Sequence, residues 1–158
     1  GHFIGMSEVV YRLLRITSPD SLFMGQKDFQ QFSIIRKLIT DFQMPIQLVM
    51  CPTVREANGL AMSSRNVRLS PEARDKAGVI FNILTSGKML FEQKTPAKYV
   101  QDIALDALRK VNFDPEYFEV VNGYTLEPVE HMEDAEQIVA CCAVKVEGVR
   151  LIDNMTWK

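Results

Sequence analysis

Between Leu22 and Met50 two short apolar runs flank an amphipathic stretch. The runs are Leu22-Phe23-Met24 and Ile46-Gln47-Leu48-Val49-Met50, and between them Phe29, Phe32, Ile35, Leu38, Ile39 and Phe42 recur at helical spacing. Strand, helix, strand in this order predicts two parallel strands, because parallel neighbours need a crossover that is usually a helix. Upstream, Val9, Val10, Leu13, Leu14 and Ile16 mark another helix over Met6 to Ile16, expected to pack on a core and to stop at Ser18-Pro19-Asp20. Two strands do not make a sheet. The rest of an α/β domain is therefore expected ahead of residue 1 or from another molecule. Gly1 and His2 read equally as native residues or as the remnant of a tag.

Past Pro52 the pattern changes, and this is the expected domain boundary, dividing the chain into 1–52 and 53–158. Thr53 to Asn66 is polar and loop-like. Ser70-Pro71-Glu72 starts a helix with a capping hydroxyl, Pro in the first turn and an acid where the helix dipole favours one. Ala77, Ile80, Phe81 and Leu84 would be its buried face. Thr95-Pro96 repeats that start ahead of Tyr99, Val100, Ile103, Ala104, Ala107, Leu108 and Val111. Tyr117 to Val121, Gln137 to Val146 and Val149 to Ile152 read as three antiparallel strands, the last two joined by a tight turn at Glu147-Gly148. The acidic segment from Glu127 to Gln137 reads as a solvated loop. The expected fold class is α/β followed by α+β: the end of a Rossmann-like nucleotide-binding domain, then a small domain of helices and a three-stranded antiparallel sheet.

A formal net charge of −2 and a pI near 5.7 argue against nucleic acid or an anionic membrane as the main partner, so any anion site must be local. No apolar run approaches a membrane span, and no basic-then-apolar leader opens the chain. Cys51, Cys141 and Cys142 form no CxxC or Cys/His spacing, which speaks against a disulfide framework or a structural zinc and fits a reducing cytoplasm.

Two stretches invite an anion. Gly25-Gln26-Lys27-Asp28 falls between a strand and a helix, where unpaired helix N–H groups and the Lys27 charge can meet a phosphate. The same residues also fit a plain structural role: Gly25 as a tight-turn residue with positive φ, Lys27 as a solvated charge, and Asp28 with Gln31 as a capping-box variant. In Asn58-Gly59-Leu60-Ala61-Met62-Ser63-Ser64-Arg65-Asn66, two hydroxyls and a guanidinium follow a glycine, a set of donors suited to phosphate oxygens. Alone, Ser-Ser-Arg-Asn also reads as an ordinary polar turn. Together with Thr53-Val54-Arg55-Glu56, the two stretches place two anion sites in one strand-helix-strand unit and suit a triphosphate better than a single phosphate.

At these residues the chain resembles the pantothenate synthetase family, the ligases of pantoate and β-alanine. Gly25 to Gln31, Pro52 to Glu56, and Gly59 to Asn66 followed by Leu69-Ser70 reproduce the family's consecutive motifs at its spacing. The likeness spans essentially the whole chain and is diffuse after about Phe91. It implies that ATP and pantoate form an acyl-adenylate with loss of pyrophosphate, and that β-alanine then displaces AMP. Magnesium would accompany the nucleotide, and the full-length enzyme would be a homodimer. It also implies an ATP site of Gly25, Gln26, Lys27, Asp28, Val54, Met62, Ser63, Ser64 and Arg65. Within it Lys27 meets phosphate, Asp28 the ribose and Val54 the adenine through its backbone, while Lys27, Ser63, Ser64 and Arg65 act in catalysis. Gln31 would bind pantoate, and Met62 to Arg65 would be the mobile counterpart of the KMSKS loop of related adenylate-forming enzymes.

The family's Glu between Gly and Lys is Gln26 here, which leaves the backbone donors intact. The HIGH-type histidine motif belongs, by resemblance, to an N-terminal half outside these residues. His2 and His131 do not replace it, and Glu130, His131, Glu133 and Asp134 read as a solvated acidic loop rather than a metal site. The expected protein is the C-terminal portion of the ligase, inactive alone. The alternative is a non-catalytic binding or oligomerisation module whose exposed sheet edge drives association.

Overall fold

A computed structural model describes all residues from Gly1 to Lys158. The chain forms two compact units, Gly1–Pro52 and Thr53–Lys158.

In the first unit, helix α1 (His2–Thr17) is followed by strand β1 (Ser21–Gly25), a 3-10 turn (Gln26–Asp28), helix α2 (Phe29–Asp41) and strand β2 (Gln47–Cys51). β1 and β2 are parallel, with Ser21 opposite Gln47 and Gly25 opposite Cys51. Leu14, Ile35, Leu38 and Ile39 form the core, with Met6, Val10, Leu22, Met24 and Leu48 packed against it. α1 begins earlier than its apolar pattern, and only one stripe of it is covered. α1 packs on the core as expected, with Leu14 buried and Met6 and Val10 against it, while Val9, Leu13 and Ile16 are 58%, 54% and 80% exposed. Phe42 likewise lies outside the core, as the C-cap of α2, with its ring 4.7 Å from that of Tyr11. Nor is β2 fully buried, and Phe23 of β1 points to the exposed face of the pleat while Leu22 and Met24 face inward.

The second unit opens on an irregular hairpin closed by a bridge between Arg55 and Ala61, then a 3-10 turn (Ser64–Arg68). Helices α3 (Pro71–Lys76), α4 (Val79–Glu92) and α5 (Ala97–Lys110) and strands β3 (Asp114–Asn122), β4 (Ile138–Val146) and β5 (Val149–Thr156) complete it. The sheet is an antiparallel meander with β4 in the centre, buried along almost its whole length. At the β4–β5 turn both central residues have positive φ, 49° at Glu147 and 75° at Gly148, the twist that a two-residue hairpin favours. Glu147 is held there because its carboxylate accepts from the backbone and hydroxyl of Ser70, the residue that caps α3. α5 lies on β3 and α4 against β5, enclosing Phe91, Phe118 and Trp157.

Three local readings need correction. The helix starting at Ser70 does not run on to Leu84: it stops at Lys76 and restarts at Val79, where Asn58 Nδ2 donates to the carbonyls of Arg74 and Asp75 at 2.9 and 3.0 Å, the acceptors a continuous helix would offer to the Gly78 and Val79 amides. Phe81 is only half-buried, with the Arg55 guanidinium over its ring. Thr95 does not cap α5, whose N-cap is Pro96 without a side-chain bond, and Tyr99 and Ile103 face solvent while Val100, Ala104 and Leu108 are buried. The acidic segment is more than a solvated loop. Val129 and Ala135 are buried in it, and the Asp134 carboxylate is occupied by the amides of Glu130 and His131, each at 2.8 Å.

Candidate functional site

In the first unit, Gly25 ends β1, and the 3-10 turn Gln26–Asp28 leads straight into α2. This places the stretch at the carboxyl end of the parallel strands, where open α/β sheets bind ligands and where the first turn of α2 presents amides with no helical partner. Gly25 has φ −69° and ψ 133°, so it is not the positive-φ turn residue that was one reading of it. No atom comes within 4 Å of the place a Cβ would occupy, leaving that backbone open to approach. Asp28 is the N-cap of α2 but makes no side-chain cap bond, so the capping-box alternative with Gln31 is not realised. Its carboxylate is 57% exposed and 3.8 Å from Lys27 Nζ, whose side chain is only 20% exposed. Gln31 is half-buried in the first turn of α2.

In the second unit, Val54 and Met62 are exposed and joined through Met62 N–H donating to Val54 O at 2.9 Å. Ser63 caps the following 3-10 turn by accepting from Arg65 N, while Ser64 is exposed. The Arg65 side chain, also exposed, donates from Nη1 to the carbonyl of Arg150 on β5 at 3.0 Å. Both ends of this loop are anchored. Ahead of it, Arg55 forms a bidentate ion pair with Asp153, at 2.6 and 3.0 Å. Behind it, buried Asn66 donates to Glu56 Oε1 and to Ala61 O. Glu56 in turn accepts from Arg74 Nε at 2.8 Å, and hydrogen bonds from Arg74 and then Asn66 hold its carboxyl below the usual range. Sequence reasoning gave none of these four braces a role. Arg55, Glu56 and Asn66 stood inside the quoted motifs, but Arg74 and Asp153 carried no local signal at all.

A shallow cleft of about 500 Å³ opens beside the braces, lined by Glu56, Asn58, Asn66, Val67, Leu69 and Arg74, and none of Met62 to Arg65 faces it. The expected site residues thus fall into two groups. Gly25 to Asp28 and Gln31 belong to the first unit; Val54 and Met62 to Arg65 belong to the second.

The family model described as pantoate-beta-alanine ligase matches residues 1–156. The chain belongs to the pantoate-beta-alanine ligase family. The pantothenate synthetase of Azobacteroides pseudotrichonymphae genomovar. CFP2 is 40% identical over 161 residues, covering 99% of this chain and 56% of that protein. That of Porphyromonas gingivalis strain W83 is 37% identical, covering 100% and 56% respectively. Among solved structures, pantothenate synthetase from Thermus thermophilus superposes with a TM-score of 0.89 at 36% identity over 98% of this chain and 56% of that one. The Francisella tularensis pantoate-beta-alanine ligase, solved in complex with beta-gamma ATP and beta-alanine, gives a TM-score of 0.72 at 29% identity, covering 99% and 51%. The chain spans about half the length of the curated relatives it matches, and the region matched is their C-terminal part. Both strand systems, parallel and antiparallel, agree with the α/β-then-α+β class expected of such a portion.

Proposed function

We propose that this chain forms the C-terminal portion of an ATP-dependent ligase that condenses pantoate with β-alanine through a pantoyl-adenylate, releasing pyrophosphate and then AMP. The reading is carried by one observation: within a family-matched chain, the Ser64 and Arg65 donors stand exposed on a loop whose two ends are braced. In the first step a pantoate carboxylate oxygen attacks the α-phosphorus and the bond to the β-phosphate bridging oxygen breaks. The attacking and attacked groups are both negative, so cations that screen the approach and stabilise charge growing on pyrophosphate lower the barrier. Lys27 and Arg65 are the residues assigned that work, with Ser63 and Ser64 adding hydrogen bonds. Gly25 to Asp28, Val54 and Met62 line the nucleotide, and Gln31 holds pantoate. In the second step the β-alanine amine attacks the acyl carbon and AMP departs. No protein nucleophile is required, because the substrate carboxylate attacks. Magnesium enters this reading as the counter-ion of the nucleotide, with phosphate and water oxygens as ligands. The chain itself gathers no group of three His, Cys, Asp or Glu side chains that could hold a metal.

The enzyme is assigned to the cytoplasm and to a homodimer. Residues 53–158 are assigned the part of a lid over ATP, and the 158 residues by themselves are expected to make no pantothenate. The test joins this chain to the N-terminal part of the Thermus thermophilus relative and follows pantoate-dependent ATP–pyrophosphate exchange. Lys27→Ala and Arg65→Ala are each expected to lower the exchange rate by about 100-fold, the loss typical of removing one transition-state donor. A second reading, a non-catalytic assembly module, is favoured by the exposed Val9, Leu13, Ile16 and Phe23. It gains if both substitutions leave the rate untouched.

A further inference from the structure

Arg55 and Asp153 lie 98 positions apart in the chain, yet their ion pair is the most enclosed in the protein, with side chains 18% and 3% exposed. The Arg55 guanidinium also donates to Gly59 O at 3.1 Å and stacks over the Phe81 ring at 4.0 Å. We infer that Arg55 and Asp153 are positioning residues for the Met62–Arg65 loop, an inference that rests on the ligase reading above.

Arg55 bridges Ala61, and Met62 N–H bonds Val54 O, so the rung that Arg55 holds is the last fixed point before the loop. Asp153, to which that rung is fastened, and Arg150, whose carbonyl receives the Arg65 side chain, both belong to β5. One strand therefore sets the place of the hairpin base and of the guanidinium the loop carries. Stability alone gives no reason for charge at this point, since a well-packed apolar pair often holds a buried junction as well as an ion pair does. A bidentate fork adds what apolar packing lacks, a defined angle and distance.

The single truncations leave a buried charge without its partner, so the deciding variants are Arg55→Lys and the double Arg55→Met/Asp153→Leu. In the 158-residue chain, hydrogen exchange at the Met62 amide is expected to speed by about tenfold or more in both variants while the amides of β4 keep their protection. In Arg55→Lys, Met62 and β4 amides changing together, or neither changing, would overturn the inference. If the double variant loses β4 protection, Arg55→Lys decides.

In the chain joined to the Thermus thermophilus N-terminal part, both variants are expected to lower kcat for adenylation by about tenfold, with a smaller change in KM for ATP. Normal kcat in both, alongside a collapsed rate in Arg65→Ala, sinks the positioning role and spares the ligase reading. An Arg65→Ala variant at full rate sinks the ligase reading instead, and the exchange measurement still decides whether the brace fixes the loop.

Discussion

Asn66 donates from Nδ2 to Glu56 Oε1 at 2.7 Å, tying the far end of the Ser-Ser-Arg loop to the hairpin strand from which that loop departs. The same amide group reaches Ala61 O at 3.1 Å, and Asn66 is 1% exposed. A change here acts on the frame of the loop without touching Ser63, Ser64 or Arg65.

Acid is expected to loosen that frame. The Glu56 carboxyl is held below the ordinary value by Arg74 first and Asn66 second. A carboxyl with a depressed folded-state pKa contributes stability that is fully present above its unfolded value and is lost as pH falls through the folded one. Denaturant titrations between pH 7 and about pH 3, across the ordinary Glu range, are expected to show a flatter acid limb in Glu56→Gln than in the parent chain. Asn66→Asp, which sets a second carboxylate beside Glu56, is expected to be less stable than Asn66→Ala at pH 7, with the gap narrowing as the pair protonates. Parallel acid limbs for Glu56→Gln and the parent would refute the assignment.

Two glycines of the second unit predict different sensitivities. A Cβ at Gly78 would meet Asn58 O at 2.2 Å and Asn58 C at 3.0 Å, backbone atoms that cannot rotate away. Gly78→Ala is therefore expected to destabilise the chain by about 1–3 kcal/mol, the usual cost of overpacking. At Gly87 the nearest atoms are Trp157 Cζ2 and Cη2 at 3.0 and 3.1 Å and Val100 Cγ1 at 3.2 Å, side-chain atoms that need give by only a few tenths of an ångström. The gain in helix propensity inside α4, about 1 kcal/mol, offsets part of that strain. Urea midpoints ordering the two variants the other way would contradict this reading of the α3–α4 break.

That break also shows where sequence reasoning stops. The strand-helix-strand order of the first unit was legible because Leu22 to Met50 carries both periods, about two and near 3.6, in its own residues. So was the β4–β5 hairpin, since Glu147-Gly148 supplies the turn locally. Gly78 interrupts a helical pattern only because Asn58 approaches it from the preceding loop, and no window around Gly78 contains that fact. Arg55 with Asp153 is the same case at longer range. Val9, Leu13 and Ile16 are a different case: periodicity marks them as apolar, and they lie on a side of α1 that no residue of this unit covers. At the proposed site, the residue types pointed to phosphate, while the braces that hold the loop depend on partners distant in the chain.

The cysteines offer a test of burial that needs no substitution. Only the thiolate reacts with an alkylating agent. The Cys141 thiol is pushed up to about 12, by burial first and by the charges of Asp153 and Glu119 after it, and Cys142, wholly enclosed beside it on β4, is pushed up further. At pH 8 the Cys141 thiol is then almost wholly protonated. Cys51 ends β2 and is half-buried, as Cys141 is, so what separates the two is the raised Cys141 thiol and not its access to solvent. Iodoacetamide on the native chain is expected to place a single label, at Cys51, with Cys141 and Cys142 labelled only in denaturant, as peptide mass spectrometry would read. Because burial outranks the neighbouring carboxylates, added salt is not expected to speed Cys141, whereas guanidinium is. Labelling of Cys141 in the native state at a rate that rises with salt would mean that charge, not burial, protects it.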